Sequence, residues 1–575
     1  MSMWSSPGTR ALRHRFARAA AGLALVVTAV PVMLAAEAEP VVAATLTVCK
    51  HGCQFSQIAP AVAAAKSGDT IRVGPGTYNG GITIGVSMHL AGSGPRATII
   101  RGGGSVLTIG TFGARTEPAV SISGVTITGG LARSSPESVP FTGRAGVWAA
   151  GGGIEIPPAA HLSVGATVTV SDSVITGNHA DPRATIPSGI TCPARFHFPK
   201  GQCPFAPALG GGIDSWGLLT LMHSAVTGNT SGAAPGLPGI ASDADGAGIY
   251  SAQGSLTLAH TIVGGNHGVA ARPDGRFAEG AGIFAGNPGF SPGKRGDALM
   301  VGHSAIVSNS ALLTTDFPRF FGGQFQDLVA NTGGLVAGPG VTATTFENTL
   351  VTGNSAIARD LHGEPSAIDA GLNINSGSLR MADSIISRNR AITQSATSAD
   401  VGGAGSVLEV DGGGTITHTL ITGNRASMVS RHGVAAVTGA GLGLFGDTSL
   451  LTVQNSIIAG NTAAAASTTG SATSQGAGVF NNGLLKLVRD RIDHNSGTAT
   501  GPSGQAQGAG IWNGAEFAGP PVHLTLQSTT VTRNSLTGSP GVTVQGGGVY
   551  TAPPATITLG HSLIAHNVPD QCFGC

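Results

Sequence analysis

The sequence has few charged residues and few aromatic residues. Asp, Glu, Lys and Arg make up 10% of the 575 residues, and Phe, Trp and Tyr make up 5%. Once residues 1–38 are set aside as a predicted secretory signal, which removes four Arg and Glu37, 26 basic and 28 acidic residues remain and the net charge is about −2. Because nucleic-acid binding depends on Lys and Arg that neutralise phosphates, such a chain is not expected to bind nucleic acid.

Long apolar runs are also scarce, and the clear example lies near the N-terminus. It extends from Ala19 to Leu34 and follows a basic segment that contains Arg10, Arg13, Arg15 and Arg18. Ala36-Glu37-Ala38 then matches a signal-peptidase cleavage site, with Val42-Ala43-Ala44 as a second choice. We therefore predict that residues 1–38 are a signal peptide and that the mature chain is extracellular or at the cell surface, without a membrane span. The alternative is an uncleaved anchor, which Pro31 and the shortness of the run disfavour.

Cysteine is rare, and its six residues fall into three closely spaced couples, Cys49/Cys53, Cys192/Cys203 and Cys572/Cys575. Six cysteines allow fifteen pairings in principle, but the spacing favours disulfide bonds within each couple. Disulfides are typical of oxidising compartments, which agrees with the predicted export. In an elongated chain the terminal couples would be far apart, which argues against a zinc site built from them. A redox-active Cys572-x-x-Cys575 remains as an alternative, although no βαβ pattern surrounds it.

One short motif recurs eleven times: Ser or Thr, any residue, Ile or Val, two residues, then Asn. The repeats are 33 to 51 residues apart, and Asp490 is the single departure at the Ser/Thr position. The motif ends at Asn178, Asn229, Asn266, Asn309, Asn354, Asn389, Asn424, Asn461, Asn495, Asn534 and Asn567. A fixed core with variable insertions is typical of a solenoid, in which each repeat buries its apolar face on its neighbours.

Each repeat contains three segments that are predicted to be strands. The first follows a Gly cluster, as in Gly248-Ile249; the second alternates apolar and polar residues, as in Leu256–Leu258; the third leads into the Asn. Three strands joined by turns form one coil of a parallel β-helix, with neighbouring coils about 4.8 Å apart. We expect an all-β chain of about fourteen coils, in which the Asn side chains form a hydrogen-bonded ladder.

The ends of such a solenoid need caps, because they expose unpaired strand edges. Phe55, Ile58, Ala59 and Val62 have helical spacing, which predicts an amphipathic helix in an N-terminal cap of residues 39–66. Residues 67–575 then form the β-helix. Its other end is expected to be covered by the tail after Asn567, with its two cysteines.

Several segments resemble known families. A helical segment followed by Gly68–Val73, Gly74–Tyr78 and Leu90–Gly94 is similar to the start of pectin-lyase-like right-handed β-helix proteins. The later repeats resemble those of polymorphic outer membrane protein passengers. This resemblance implies a single right-handed parallel β-helix, but fold does not imply activity. The catalytic signatures of pectate lyases and pectin methylesterases are missing, and Arg272–Arg276 has the wrong spacing for the lyase arginine motif.

The residue after each Gly-Gly-Ile signal forms a column along the solenoid, and five of its positions are aromatic. These are Tyr250, Phe284, Phe480, Trp512 and Tyr550. An apolar stripe on an outer face predicts a platform on which sugar rings stack, and therefore polysaccharide binding. The alternative is that neighbouring rings stack on one another for stability.

Two acids, Glu155 and Asp214, occupy neighbouring positions of the same column. Carboxylates one coil apart, at about 5 Å, suit glycoside hydrolysis or Ca²⁺ binding. The insertion at residues 179–209 contains His197, which is expected to lie beside a cleft over the carboxylates. The alternative is a pair of solvated surface acids beside a loop.

A second column lies six residues before each Asn and includes His223, His260 and His303. Three His about 5 Å apart are candidate ligands for a transition metal. However, Asp, Asn and Ser share this column, which indicates a polar turn position, and parallel rings do not converge on one ion. No metal or other cofactor is therefore predicted, apart from the Ca²⁺ option at Glu155 and Asp214.

These observations favour a secreted, monomeric, non-catalytic β-helix protein that binds polysaccharide or another envelope component along an outer face. The alternative is an extracellular polysaccharide lyase or glycoside hydrolase with Glu155 and Asp214 at its centre. Close approach of these two carboxylates would favour the enzyme, whereas an open aromatic column would favour the binding protein.

Overall fold

The computed structural model describes residues 43–133, 149–181, 207–232, 243–271, 277–286, 297–315, 328–360, 365–375, 377–410, 412–515 and 521–575. Residues Ala43–Cys575 form one compact unit. This unit is a right-handed parallel β-helix, and its described residues form short strands almost throughout, with one α-helix, Ile58–Ala64, and one 3-10 helix, Ala160–Leu162, among them. The predicted fold class is therefore confirmed.

The number of coils follows from the sheet that contains the residues leading into each Asn. It has 14 parallel strands, so the prediction of about fourteen coils is confirmed. Its strands are Gly76–Asn79, Thr98–Arg101, Thr126–Thr128, Val174–Thr176, Ala225–Thr227, Ile262–Gly264, Ala305–Val307, Leu350–Thr352, Ile385–Ser387, Leu420–Thr422, Ile457–Ala459, Arg491–Asp493, Thr530–Thr532 and Leu563–Ala565.

The largest sheet has 27 strands and combines the segments after the Gly clusters with the alternating segments. In two coils these segments merge into the long strands Leu442–Gln454 and Val479–Val488. The remaining strands after Gly clusters or their equivalents are Ile82–Ile84, Leu107–Ile109, Ile154–Ile156, Ile213–Ser215, Ile249–Ser251, Ile283–Ala285, Leu335–Ala337, Leu372–Asn375, Ser406–Glu409, Ile511–Asn513, Val549–Thr551 and Cys572–Phe573. The remaining alternating strands are Thr45–Val48, Thr70–Val73, Met88–Gly92, Ala119–Ser123, Thr167–Ser171, Leu218–Met222, Leu256–Ala259, Asp297–Gly302, Val341–Glu347, Ser378–Ala382, Gly414–Thr417, His523–Gln527 and Thr556–Gly560.

The prediction of three strands per coil is wrong for most of the chain, because two further strands lie between each Asn and the next Gly cluster. They form two sheets of 11 parallel strands. The strands after Asn, or after its equivalent, are Leu131–Arg133, His179–Asp181, Thr230–Gly232, His267–Ala271, Ser310–Thr315, Ser355–Asp360, Arg390–Ser395, Arg425–Ser430, Thr462–Ser467, Ser496–Thr500 and Ser535–Gly538. The strands before the Gly clusters are Ala149–Ala150, Ala208–Leu209, Ala244–Asp245, Phe277–Glu279, Leu328–Asn331, Pro365–Ile368, Ala399–Val401, Ala435–Thr438, Ser471–Gln475, Ser503–Gln507 and Val542–Gln545.

The two additional sheets share a second core, which is separate from the main one. The main core consists of inward Ile, Val and Leu such as Ile421, which is fully buried. The second core is mostly alanine, including Ala356, Ala391 and Ala426. Small side chains let the two sheets pack closely. In the sequence, the alternation of alanine with polar residues was not recognised as a strand pattern.

The Asn ladder is present in full. Asn229 donates from its backbone N–H and from Nδ2 to Oδ1 of Asn266, both at 3.0 Å, and Nδ2 also donates to the carbonyl oxygen of Ile175 at 3.0 Å. The same bonds recur from Asn178 onward, and the eleven Asn are at most 3% exposed. Gln571 Oε1 ends the ladder by accepting from Nδ2 of Asn567. Each Asn therefore satisfies buried backbone groups of the adjoining coil.

The ladder also explains why a glycine stands before the Ile of each Gly cluster. A Cβ on Gly248 would lie 2.8 Å from Nδ2 of Asn266 and 2.4 Å from the carbonyl oxygen of Gly282. The same conflict exists at Gly282 with Asn309. The Asn motif and the Gly cluster are thus one steric unit, since only glycine leaves room for the amide.

The helix Ile58–Ala64 lies at the N-terminal end, where Ile58, Ala61 and Val62 are buried. Of the predicted helical face, Ile58 and Val62 are confirmed. Ala61 takes the place of Ala59, which is exposed, and Phe55 lies before the helix, where it forms a parallel bridge with Val48. The disulfide bond Cys49–Cys53 is confirmed, and Cys572 is joined to Cys575 in the same way. Cys192 and Cys203 lie outside the described residues. No helix among the described residues is long and apolar enough to cross a membrane.

Candidate functional site

Glu155 and Asp214 are direct neighbours in the largest sheet, as the sequence predicts. They are register partners in the adjacent strands Ile154–Ile156 and Ile213–Ser215. Their side chains point away from the main core, because the Ile residues on either side of Glu155 and Ile213 point into it. The parallel register therefore places two carboxyl groups on consecutive coils.

The two carboxyl groups have different surroundings. Glu155 is partly exposed, and its Oε2 accepts hydrogen bonds from the hydroxyls of Ser105 and Thr108, both at 3.3 Å. Asp214 is 2% exposed and is hydrogen-bonded to Trp216. Burial raises the pKa of Asp214 well above its usual range, and the negative charge of Glu155 raises it further. The hydrogen bond with Trp216 lowers the pKa again, but burial is the largest effect, so the surroundings of Asp214 favour its protonated form.

A second acid pair lies close to the first. Asp245 and Glu279 are register partners in the strands that precede two consecutive Gly clusters. Burial raises the pKa of Asp245 well above its usual range, followed by the effects of Glu279 and Asp243. Burial likewise raises the pKa of Glu279 to about 7, again with a contribution from Asp243. The sequence analysis missed this pair, although Ala-Asp-Gly-Ala-Gly and Ala-Glu-Gly-Ala-Gly mark the two positions.

Tyr250 connects the two pairs. It is 1% exposed and is the register partner of Asp214. Burial raises the pKa of its phenol well above the usual range, and the charges of Asp245, Asp214 and Glu279 raise it further, in that order. We refer to Glu155, Asp214, Asp245, Glu279 and Tyr250 as the acid corner. It forms where the largest sheet meets the sheet of strands that precede the Gly clusters.

The rings of the aromatic column stack in pairs on neighbouring coils, but most of these side chains are not exposed. The rings of Tyr250 and Phe284 are 5.3 Å apart, and those of Phe480 and Trp512 are 4.4 Å apart, each pair nearly parallel. These four side chains are at most 5% exposed, whereas Tyr550 is partly exposed and stacks on Phe573 at 5.2 Å.

The prediction of an outer apolar stripe is therefore wrong for Tyr250, Phe284, Phe480 and Trp512. In the first part of the column, Leu209 packs in the same apolar cluster as Tyr250 and Phe284. Leu209 belongs to the sheet of strands that precede the Gly clusters. Further along, Trp512 Nε1 donates to Oε1 of Gln507, also in that sheet, at 3.3 Å. The sequence did not reveal the covering strands, so the column was expected to face solvent.

A further buried acid, Asp369, lies beyond the acid corner and one residue after the position that aligns with Asp245 and Glu279, which Ile368 occupies in its coil. Asp369 is fully buried, and its Oδ2 accepts a hydrogen bond from Nδ2 of Asn373 at 2.9 Å. Burial raises the pKa of Asp369 well above its usual range, with a smaller contribution from Glu409. Asp369 stands just before a Gly cluster, as Gly246 does, and shares its positive φ, at 50° and 53° respectively.

The histidine column occupies a turn. All eleven residues six positions before the Asn have φ between 46° and 56°, the left-handed region that favours Asn, Asp and Gly. The rings of His223 and His260, and of His260 and His303, stack at 4.9 Å. The polar-turn interpretation of this column is thus supported. Across the described parts of the chain, no three His, Cys, Asp or Glu side chains are grouped to hold a metal ion.

His197 and the insertion expected to lie over the carboxylates fall within residues 182–206, outside the described residues. A shallow depression of about 550 Å³ lies elsewhere, on the alternating strands, where it is lined by Leu379, Gly412–Gly414, Thr415, Leu450 and Thr452. None of these lining residues has a titratable side chain. Among the described residues, the acid corner therefore remains the candidate site for acid–base catalysis.

Comparison with known proteins does not assign the chain to a family. No protein-family model matches the chain, and no match is found among curated proteins. Among solved structures, the chain is similar to the A-module of mannuronan C-5 epimerase AlgE6 from Azotobacter vinelandii. The identity is 12%, with 87% of this chain and 96% of that chain covered, and the TM-score is 0.28. At these values the likeness carries no argument about either the fold or the activity of this chain.

Proposed function

We propose that this protein is an extracellular glycoside hydrolase that acts on a polysaccharide at Glu155 and Asp214. The observation that carries the proposal is the adjacency of two carboxyl groups in unlike surroundings. Burial and the charge of Glu155 favour the protonated form of Asp214, against the opposite effect of its hydrogen bond with Trp216, so Asp214 is suited to be the general acid. Glu155, which accepts hydrogen bonds from two hydroxyls, is suited to be the nucleophile or general base.

The spacing of the pair bears on the stereochemistry. Neighbouring strands of a sheet are about 4.8 Å apart, close to the roughly 5–5.5 Å between the carboxyl groups of retaining glycosidases. Inverting enzymes need a wider gap, which admits a water molecule. We therefore propose retention of the anomeric configuration. In the acid corner, neighbouring carboxyl groups raise the pKa values of Asp214, Asp245 and the Tyr250 phenol, so further negative charge is disfavoured and a neutral glycan is favoured over a uronate polymer.

The test is a screen of the secreted chain against neutral polysaccharides, with new reducing ends and glycan binding measured side by side. We expect turnover that is abolished in Asp214→Asn and Glu155→Gln while binding is retained. Asp369→Asn is the matched control, because Asp369 is equally buried but lies several coils away. Turnover that survives both substitutions in the pair would refute the assignment.

A second function, non-catalytic glycan binding, is supported by the 2% exposure of Asp214. A carboxyl group this deeply buried must become accessible before it can protonate a glycosidic oxygen. Binding of a polysaccharide without release of reducing ends would establish this function instead. The same screen therefore separates the two proposals.

Secretion is part of the proposal and rests on the predicted signal and on the disulfide bond Cys49–Cys53. Mass spectrometry of the exported chain should find Glu39 or Thr45 as its first residue. A chain that still carries residues 1–38 would contradict this. We also propose kinship with pectin-lyase-like and polymorphic outer membrane protein repeats, which the N-terminal helix and the Gly-cluster repeats support.

A further inference from the structure

A group of basic side chains surrounds one buried carboxylate at the end of two strands of the 14-stranded sheet. Asp493 is fully buried, and its Oδ2 accepts hydrogen bonds from Nε of Arg491 at 3.0 Å and from a second nitrogen of the same guanidinium. Nδ1 of His494 lies 2.8 Å from the same oxygen. On the next coil, Thr532 donates to Oδ1 of Asp493 at 3.1 Å, and Nη1 of Arg533 lies 3.7 Å from it. We call Arg491, His494 and Arg533, with Asp493 at their centre, the basic cluster.

The basic cluster carries more positive than negative charge. Burial acts to raise the pKa of Asp493, but hydrogen bonds from Arg491 and His494 lower it below the ordinary value, so the carboxylate is ionised. Its single negative charge faces two guanidinium groups, and more than half of each of these arginine side chains is exposed. A guanidinium has five N–H donors, of which Arg491 uses two on Asp493. With His494 neutral, the cluster therefore has a net charge of +1 and N–H groups left over for a further acceptor.

The acids in the coils of the basic cluster do not neutralise its surface. Within residues 462–534, the acids that the structure describes are Asp490 and Asp493, at 3% and 0% exposure. The carboxylate of Asp490 accepts hydrogen bonds from two backbone N–H groups, at 2.7 and 2.8 Å. Arg489 is exposed and Lys486 is partly exposed in the same coil as Arg491. The exposed charges that the structure describes in these coils are therefore all positive.

Two members of the basic cluster occupy a position that is glycine in most other coils. His494 and Arg533 each stand directly before a ladder Asn and have φ of 54° and 55°, in the left-handed region. Six of the eight preceding ladder coils have glycine there, with φ between 62° and 67°. These residues are Gly177, Gly228, Gly265, Gly353, Gly423 and Gly460. A left-handed conformation is strained for a residue with a Cβ, and such residues concentrate at functional sites. An arginine here lowers stability where glycine would not, so its side chain is expected to have a use.

We propose that the basic cluster binds a tetrahedral oxyanion, a sulfate or phosphate ester, carried by an acidic polysaccharide. Guanidinium groups pair strongly with oxyanions through their fixed N–H donors. A tetrahedral ester has three terminal oxygens and can accept from Arg491 and Arg533 at once, whereas a planar carboxylate has two oxygens that pair with one guanidinium. A polymer is favoured over a free ion because Arg489 and Lys486 extend the positive surface beyond the cluster. A polysaccharide is favoured over a nucleic acid because the proposed location is extracellular.

The basic cluster is separate from the acid corner. It lies on the 14-stranded sheet, whereas the acid corner involves the largest sheet and the sheet of strands that precede the Gly clusters, several coils away. An acidic polymer bound here therefore does not need to be the substrate. The basic cluster holds the protein on the polymer and leaves the acid corner open to a neutral glycan.

The experiment measures binding of the secreted chain to immobilised dextran sulfate, dextran phosphate and uncharged dextran. The variant is Arg533→Gly, which leaves the hydrogen bonds of Asp493 in place. Arg388→Gly is the matched control, because Arg388 is exposed, precedes a ladder Asn and also has φ of 55°. Its coil has Ser387 and Ile385 at the positions of the carboxylate and the second arginine. Both variants should melt no lower than the unmodified chain, since glycine adopts this φ without strain.

We expect the unmodified chain to bind at least one of the two esterified dextrans and not uncharged dextran. Arg533→Gly should weaken this binding roughly tenfold, the effect of losing a hydrogen bond between charged groups, whereas Arg388→Gly should leave it unchanged. Preference for one esterified dextran supports the site and identifies the ester. Binding should also weaken as salt is added, because the contact is between exposed charges.

Absence of binding to both esterified dextrans would overturn the proposal. So would an equal loss in Arg533→Gly and Arg388→Gly, since the contact would then be one of general charge. Equally tight binding of polygalacturonate would refute the preference for a tetrahedral ester, and tighter binding of a single-stranded oligonucleotide would make the partner a nucleic acid. None of these results depends on whether the acid corner has hydrolase activity.

Discussion

The substitution Asn266→Ala tests the Asn ladder most directly. Asn266 is fully buried, and its side chain makes four hydrogen bonds. Nδ2 donates to the carbonyl oxygen of Val226 at 3.0 Å and to Oδ1 of Asn309 at 2.9 Å. Oδ1 accepts from the backbone N–H and from Nδ2 of Asn229, both at 3.0 Å. Alanine removes all four bonds and leaves buried groups on the preceding coil without partners.

The expected loss follows from these contacts. A typical internal hydrogen bond contributes about 1 kcal/mol net, so four bonds amount to about 4 kcal/mol. Water that enters the vacated space can restore part of this, which sets a lower limit of about 2 kcal/mol. Since domains are generally stable by about 5–15 kcal/mol, the loss should be easily measured.

The assay is urea unfolding followed by circular dichroism, combined with amide hydrogen exchange. We expect a lower midpoint and faster exchange at the N–H of Asn229, which loses its acceptor. Asn348→Gly is the control: Asn348 is exposed in a turn with φ of 46°, a conformation that glycine adopts without strain. The control should change stability by less than about 0.5 kcal/mol.

The reasoning would be refuted by an Asn266→Ala variant as stable as the control. That result would mean that the ladder bonds are replaced by water at no cost. Faster exchange spread over the whole chain, without local preference for the coils beside Asn266, would instead indicate global unfolding. It would argue against the nearest-neighbour energetics expected of a solenoid.

Two further predictions concern the core and the acid corner. Ile421→Asp places an unpaired charge in the main core and should cost at least about 3 kcal/mol, whereas Leu420→Asp, on the outward side of the same strand, should cost much less in the same urea titration. Glu279 has a folded-state pKa of about 7, above its value of about 4.3 in an unfolded chain. Its contribution to the free energy of unfolding is therefore present at low pH and is lost as the pH rises from about 4.5 to 7. The free energy of unfolding should therefore fall over this range, by on the order of 3 kcal/mol. Glu279→Gln should make this fall smaller, whereas Asp400→Asn, at an exposed position, should leave it unchanged. A pH profile that Glu279→Gln leaves unaltered would show that the carboxyl group is not buried in solution.

Local patterns predicted much of the β-helix because stacking repeats the same contact in every coil. The eleven Asn, each preceded by Ile or Val, specified the ladder and most of the coils. The adjacency of Glu155 and Asp214 also followed from the sequence, since the column in which they stand maps directly onto parallel register. Positions counted from a fixed motif remain aligned however long the insertions between repeats become.

The burial of the aromatic column could not be predicted from the sequence. Whether Tyr250 and Phe284 face solvent depends on the sheet of strands that precede the Gly clusters, and that sheet is built from segments of variable length. Their alternating alanines are a weak strand signal, because alanine is common in every type of structure and has low β-propensity. Burial of the column is therefore a property of packing between sheets.

The sequence by itself determined the fold, the register and the positions of the first carboxyl pair, because each is set by a short motif and its distance to the next copy. The tertiary structure alone decided which of those positions are buried and which groups meet. It brought Asp245 and Glu279 beside Tyr250 and buried Tyr250 and Phe284 in a cluster with Leu209. The physical reason is that burial and charge coupling depend on which chain segments are close in space, and a local sequence motif does not specify those neighbours.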